Sequence, residues 1–392
     1  MPDSPGTSLT PTQIQHAIDQ IASEWATQRA ERQRRRSLDA DDFERLRGAG
    51  FHVACLPVDH GGLWESHARS SRMVFELLRS LAHGDSSVAL VAAMHPLVLS
   101  TGGWLGSPTP PEDYHEAWEA QRTWVFDTVH DGAWWGTMIS EPGTGGDPNA
   151  TRIIASRDPA RGPLGYRISG QKHFGSGSGI KSFMITNARP EGEAEPDLFF
   201  FDVRGVPWDG SRGLKLTAAW DGHGMTATQS HAMELIDCPV TRVAWPSALQ
   251  RRAAEPRPVG VGFIAVIVGI VQVAVETARN QLRARRDAMR PFERVEWARV
   301  ESESWLIDQA YEGVIRAAEQ LDKPTRASRL AKHAIAELAE SVLGRICRVV
   351  GGGAFSRHSP YGFWFEDVRA LGFLRPPWGA AYDELFAGSW GS

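Results

Sequence analysis

Apolar residues recur at helical spacing over the first third of the chain. Between Thr10 and Arg36 they fall at Ile14, Ala17, Ile18, Ile21 and Trp25, with Pro11 suited to a first helical turn. A second helix is expected from Asp39–Asp42 to Gly48–Gly50, and the run FHVACLPVDHGG that follows reads as a short extended segment closed by a Gly pair. Met73, Phe75, Leu77, Leu78 and Leu81 predict a helix from about Glu65 to Ala82, and Asp85 or Ser86 is a fitting N-cap for the small-residue helix after it.

From about Ala133 to Pro246 the pattern changes. Short β-rich segments (Ile153–Ala155, Tyr166–Ser169, Ser182–Asn187, Leu198–Val203, Leu214–Ala218, His231–Ile236) lie between clusters of Gly, Pro, Asp and Asn, as in a small β-barrel or sandwich. Helical periodicity returns over Val259–Met289, Phe292–Leu321 and Thr325–Val350, with a break at Asp322–Pro324. The expected class is α+β and multidomain: a helical unit over residues 1–132, a β-barrel over 133–248 and a helical bundle over 249–392.

Composition narrows the function classes. The chain has 392 residues, long enough for a large core and two or three units. Net charge is −5, and the densest basic run, Arg32–Arg36, sits in a charged helical segment, so nucleic acid is not an expected partner. Cys55, Cys238 and Cys347 are far apart with no CxxC, which argues against a disulfide framework or a metal site and fits a reducing cytoplasm. The N-terminus lacks a charged-then-apolar signal pattern. The most apolar run, Val259–Val271, is shorter than the ~20 residues a membrane span needs and reads as a buried helix.

Two Gly/Ser-rich turns carry the candidate chemistry: WGTMISEPGTGGD from Trp135 and GQKHFGSGSG from Gly170. Each follows a β-like segment, so small residues and open backbone N–H groups would meet a flat ligand there. The Trp134–Trp135 pair ahead of the first turn reads either as a wall for an aromatic substrate or as core.

Four motifs in order resemble the acyl-CoA dehydrogenase superfamily over nearly the whole chain. They are SEPGTGGD (Ser140–Asp147), YRISGQKHFGSGSG (Tyr166–Gly179), WDGHGMTATQSHAMELIDCPV (Trp220–Val240) and the Gly351–Pro360 turn followed by Glu366–Asp367. The resemblance implies a helical N-terminal domain, a central β-barrel and a C-terminal four-helix bundle, in a homo-oligomer (tetramer or dimer) with a flavin between barrel and bundle. It implies that Ser140 and the backbone near Met138 face the pyrimidine side of the flavin, that Ser176 meets its N5 region, and that Phe174 takes the place of a ring-packing Trp.

The departures from that family bear on the reaction. His358 stands where most members carry the glutamate that removes the α-proton of an acyl-CoA, and the earlier alternative place for that glutamate has Glu255 as its nearest carboxylate. The Ser176–Gly177 pair resembles the oxygenase components of two-component flavin monooxygenases, which take reduced flavin from a separate reductase and react it with O2. A histidine exchanges protons near neutrality, which suits a phenol or amine substrate. Gly146 in place of a serine, Met289 in place of an arginine that reaches the flavin diphosphate, and Leu374–Trp378 in place of a terminal turn leave both FAD and FMN open as cofactor. The alternatives are a divergent acyl-CoA dehydrogenase or flavin oxidase using Glu255 or Glu366, and a subunit that keeps the fold without turnover.

Overall fold

A computed structural model describes residues 9–105, 110–253, 261–374 and 378–390. Helices come first: α1 (Pro11–Thr27), α2 (Arg29–Arg32), α3 (Ala40–Gly48), α4 (Phe51–Ala54), α5 (His67–Gly84), α6 (Ser86–Thr101) and α7 (Glu112–His130). Thr10 and Gln13 close a capping box at the start of α1, and Asp85 caps α6 by accepting from the Val88 N–H at 3.0 Å. Helix α6 is apolar on every side and buried on every side.

One expected element is different. The FHVACLPVDHGG run is not extended: it folds as α4 and then a 3-10 turn over Val58–His60. Phe51, Ala54 and Cys55 are all at most 1 % exposed, and their i, i+3, i+4 spacing sends them to one side only in a helix. Gly50, at φ 83°, turns the chain into that helix.

The strands are β1 (Trp135–Thr137), β2 (Ile154–Arg157), β3 (Gly165–Gly175), β4 (Phe183–Pro190), β5 (Asp197–Asp202), β6 (Leu214–Ala218) and β7 (His231–Arg242). Their pairing runs β4–β2–β3–β7–β5 and returns from β5 to β4, so the sheet closes on itself. Tyr166, Ile168, Met184, Phe199, Phe201, Met233, Leu235 and Val240 fill the interior.

The last part is helical: α8 (Ser247–Ala253), α9 (Val261–Leu282), α10 (Pro291–Glu319), α11 (Pro324–Val350), α12 (Tyr361–Gly372) and α13 (Trp378–Ser389). By length and composition α9 could cross a membrane, yet it is the core helix, packed between α5, α10 and α11 with Ile264, Ala265, Val266, Val268 and Ile270 fully buried.

Three buried polar links hold these parts in register. Arg32 lies between Asp42 (2.7 Å) and Asp85 (2.8 Å), tying α2 to α3 and to the start of α6. On α12, Asp367 accepts from the Ser86 hydroxyl at 2.5 Å and from the Met225 N–H at 2.6 Å, joining bundle, first helices and barrel at one carboxylate. Inside the barrel wall, the fully buried Lys172 ammonium of β3 donates to Glu141 (2.8 Å), the Ile139 carbonyl (3.2 Å), and the carbonyl and side-chain oxygen of Asn187 (2.7 and 2.9 Å).

Removing one partner of a buried ion pair leaves the other charge desolvated and alone. Lys172→Met is therefore expected to lower the unfolding free energy by about 3–5 kcal/mol, read from urea melts of both proteins. Asp367 gives a pH signature. Burial pushes its carboxyl up to about 6, partly offset by the Ser86 and Met225 hydrogen bonds. The folded protein then holds a proton that the unfolded chain, with an ordinary aspartate near 3.9, has already released. Stability should fall as pH rises from about 4 to about 6, on the order of 2 kcal/mol. Asp367→Asn keeps an acceptor for Met225 and a donor for Ser86 but does not titrate, so the wild-type minus variant unfolding free energy should rise toward acid pH. A difference constant over pH 4–7 counts against this assignment.

Candidate active site

The two Ser/Gly turns meet because β3 carries both contacts. Ser140 forms an isolated bridge with His173, whose N–H donates to the Ser140 carbonyl at 2.8 Å, and Ser176 follows three residues later. Met138 is buried under the second turn, its methyl so close that a side chain on Gly175 would collide with it at 2.7 Å. Glu141 fixes the first turn: it pairs with Lys172, accepts from the Thr151 hydroxyl and accepts from the Arg152 N–H at 2.9 Å. Burial pushes its carboxyl up, but these donors outweigh burial and hold it below the usual range.

Phe174 marks the outer edge of the second turn. It adopts φ 59°, an outlying conformation for a bulky residue, and its ring is 54 % exposed, edge-on to Trp220 at 6.1 Å. Gly177, at φ 79°, packs so tightly on Val91 that a side chain would come within 2.6 Å, and its N–H donates to the Thr228 carbonyl at 2.7 Å. The Ser176 hydroxyl is bonded to that of Ser230 at 2.7 Å, and Ser230 to that of Thr228 at 2.7 Å. Exposed aromatic surface beside two hydroxyl-bearing turns suits the face and polar edge of a planar heteroaromatic ring.

His358 is exposed and lies against the N-terminal helices. Its Nδ1 is 3.0 Å from the Arg34 guanidinium, which can only donate, so the ring proton of the neutral form sits on Nε2. The segment reaches the second turn in steps: Gln33 donates to the Pro360 carbonyl at 3.5 Å, Thr226 donates to the Arg35 carbonyl at 3.1 Å, and Thr228 and Ser230 lead on to Ser176. His223 is an exposed turn residue, and Glu255 lies outside the described residues.

Both tryptophans of the 134–135 pair are core. Trp135 is fully buried, stacked on Phe183 at 4.7 Å and edge-on to Trp104, with its indole N–H on Thr128. Trp134 is 3 % exposed among Phe43, Phe51, His52 and His95. Three helices converge there to be filled, which accounts for both indoles without a substrate.

The sequence reading missed polar groups behind the turn. Lys181 is buried over Trp134, donates to the Val91 carbonyl at 2.7 Å, and burial holds its pKa well below that of an ordinary lysine. His95 accepts from the Trp135 N–H at 3.1 Å and donates through Nε2 to the His52 carbonyl at 3.2 Å, and burial likewise keeps it neutral. No spacing or motif marks these residues, because their partners are distant in sequence. A separate cavity of about 550 Å³ opens on the barrel surface between the Glu141–Pro142 turn, Arg152, Arg167 and Asp237. There Arg167 is already paired with Asp158 and Asp237. Among the described residues no His/Cys/Asp/Glu group is arranged to hold a metal ion.

No protein-family model matches the chain. Full-length relatives do. A Bacillus subtilis (strain 168) protein named as a candidate acyl-CoA dehydrogenase, YdbM, is 26 % identical over 379 residues, covering 92 % of each chain. The amino sugar nitrososynthase DnmZ of Streptomyces peucetius is 26 % identical over 369 residues, covering 88 % of this chain and 84 % of its own. Among solved structures, KijD3 in complex with FMN and a dTDP-linked amino-keto sugar superposes with a TM-score of 0.78 at 22 % identity, over 99 % of this chain and 95 % of its own. The resemblance to the acyl-CoA dehydrogenase superfamily thus holds along most of the chain, in sequence relatives named as an acyl-CoA dehydrogenase and a nitrososynthase, and the fold is shared with the FMN-bound KijD3.

Proposed function

We propose that this chain is the oxygenase component of a two-component flavin-dependent monooxygenase, acting on a small organic substrate that is aromatic or amine-bearing. The observation that carries this reading is the state of the titratable groups in the C-terminal segment. Glu366 is paired with Arg369 at 3.0 Å, and both oxygens of Asp367 are taken by Ser86 and Met225, whereas His358 presents an exposed imidazole. Removing the α-proton of a thioester needs a free carboxylate. Exchanging a proton with a phenol or amine near neutral pH suits a histidine.

The residues at the two turns fit a flavin. Phe174 and Trp220 offer aromatic surface, and Ser140 and Ser176 offer hydroxyls for the polar edge of the ring, with the main chain near Met138 and Gly177 holding both turns in place. Reduced flavin, delivered by a separate reductase, would supply the two electrons that convert one atom of O2 to water as the other enters the substrate. FMN fits the altered diphosphate positions, Gly146 and Met289, better than FAD does. The nitrososynthase relative and the amino-sugar complex of KijD3 support an amine-bearing substrate. The Bacillus relative supports the second reading, a divergent acyl-CoA dehydrogenase.

The purified protein should bind reduced FMN under anaerobic conditions and consume O2 with substrate. Oxidised flavin that is bleached by an acyl-CoA instead would support the dehydrogenase, and no binding of either redox form would support a subunit without turnover. His358→Ala is expected to lower kcat at least 100-fold while changing the Kd for reduced flavin less than threefold, within the range for losing a general acid–base. Full activity in that variant would remove His358 from the mechanism.

We also propose a homo-oligomer assembled through the bundle. Phe292, Val295, Trp305 and Leu306 of α10 and Leu330 of α11 are 45–61 % exposed, more large apolar surface than a solitary helix pair usually leaves in water. Trp305→Glu should reduce the mass measured by light scattering. An unchanged mass places the contact elsewhere.

A further inference from the structure

Three buried hydroxyls form a chain that can be satisfied in only one direction. The Thr228 hydroxyl lies 2.9 Å from the Met225 carbonyl, which can only accept. Thr228 has one hydroxyl proton, so with that proton on Met225 its contact with Ser230 at 2.7 Å requires Ser230 to donate. Ser230 then has no proton left for its contact with Ser176 at 2.7 Å, so Ser176 must donate to Ser230. Thr228, Ser230 and Ser176 are 0, 8 and 3 % exposed, which leaves little room for water to break the order.

The first acceptor in the chain is held from behind. The Met225 N–H is bound to Asp367, and Met225 sits at φ 51°. Its carbonyl also accepts from the Trp220 indole at 2.9 Å. Next to it, a side chain on Gly224 would run into the Glu366 carbonyl at 2.1 Å, so the turn is wedged against α12.

We propose that Thr228 and Ser230 are positioning residues that commit the Ser176 proton inward, so that Ser176 offers the bound flavin a lone pair and favours the reduced state over the oxidised one. This rests on the reading above that Ser176 meets the flavin at N5. In oxidised flavin N5 is an acceptor and would confront the lone pair of Ser176. In reduced flavin N5 carries a hydrogen and donates to it. A hydroxyl free to rotate would serve both forms, and one locked by its neighbours serves only the second. Redox-state selectivity of this kind suits a protein that must take reduced cofactor from solution and discard it once oxidised.

The test is the ratio of dissociation constants for oxidised and reduced FMN, measured by anaerobic fluorescence titration of the full-length protein. It needs no turnover. Wild type should bind the reduced form more tightly. Ser230→Ala and Thr228→Val each free the Ser176 proton and should lower the ratio about tenfold, the worth of one ordinary hydrogen bond. For a two-electron couple this lowers the bound potential by ~30 mV. Thr228→Ser keeps the hydroxyl and should retain the wild-type ratio. A purely structural role would weaken both redox forms together and leave the ratio unchanged. If wild type binds flavin and either folded variant keeps its ratio within twofold, the inward-proton proposal is overturned while the flavin reading stands. If wild type binds neither redox form, the flavin reading itself fails. Should Ser230→Ala not fold, the comparison of Thr228→Val with Thr228→Ser decides the matter alone.

Discussion

The geometry of the candidate site depends on one buried ammonium. Lys172 has its charge inside the barrel wall, where desolvation costs several kcal/mol unless every donor is met. Its acceptors come from the end of the first turn (Ile139 and Glu141) and from β4 (Asn187). Those partners carry the constraint outward. Glu141 holds Thr151 and the Arg152 N–H, and the Asn187 amide donates to the Pro148 carbonyl at 2.6 Å, so both arms of the SEPGTGGD loop are tied to the same charge. Since Lys172 sits just before His173 and Phe174, satisfying it also sets the start of the second turn. A small displacement of either turn would break a charge-assisted hydrogen bond in a place water cannot repair.

Where one physical signal dominates, the sequence is a good guide. Strand β6 spans Leu214–Ala218 as expected, and α10 and α11 fall within two residues of their apolar periodicity. Helix α9 stops at Leu282, seven residues before its expected end at Met289, and a 3-10 segment over Arg283–Ala288 follows. Its expected start at Val259 lies outside the described residues. Strand β7 runs six residues past its expected end at Ile236, to Arg242. The Asp237–Cys238–Pro239 run reads as a stop. In the fold Asp237 takes φ 46° at an irregularity opposite Ser169, whose hydroxyl accepts its N–H at 2.9 Å, and the pairing resumes beyond it. The Phe51 run departs from its pattern for a related reason: Gly and Pro near an apolar cluster suggest extension, but burial of Phe51, Ala54 and Cys55 on one side selects a helical turn.

The polar interior was not legible in the same way. Ser140, Phe174, Ser176 and His358 stood out through motif resemblance. The roles of Lys172, Lys181, Thr228, Ser230 and Asp367 did not, although all but Lys181 lie inside the quoted motifs, because each acts through a partner from 15 to 281 residues away or through a proton direction that composition does not encode. Periodicity reports which face of an element is apolar, and says nothing about which polar side chains have traded water for one another. Trp134 and Trp135 show the converse: aromatic residues beside a functional turn, placed there by packing alone.

Asp367 links this hidden interior to the choice of chemistry. A buried carboxylate whose oxygens already hold Ser86 and Met225 is committed to joining three parts of the chain. At 5 % exposure it has no open face for a substrate proton. On the proposed reading, an acid–base group on the exposed side, at His358 beside Arg34, would separate proton exchange from the support of the turn. That division then accounts for a histidine at the position where the resemblance to the acyl-CoA dehydrogenase superfamily leads one to expect a glutamate.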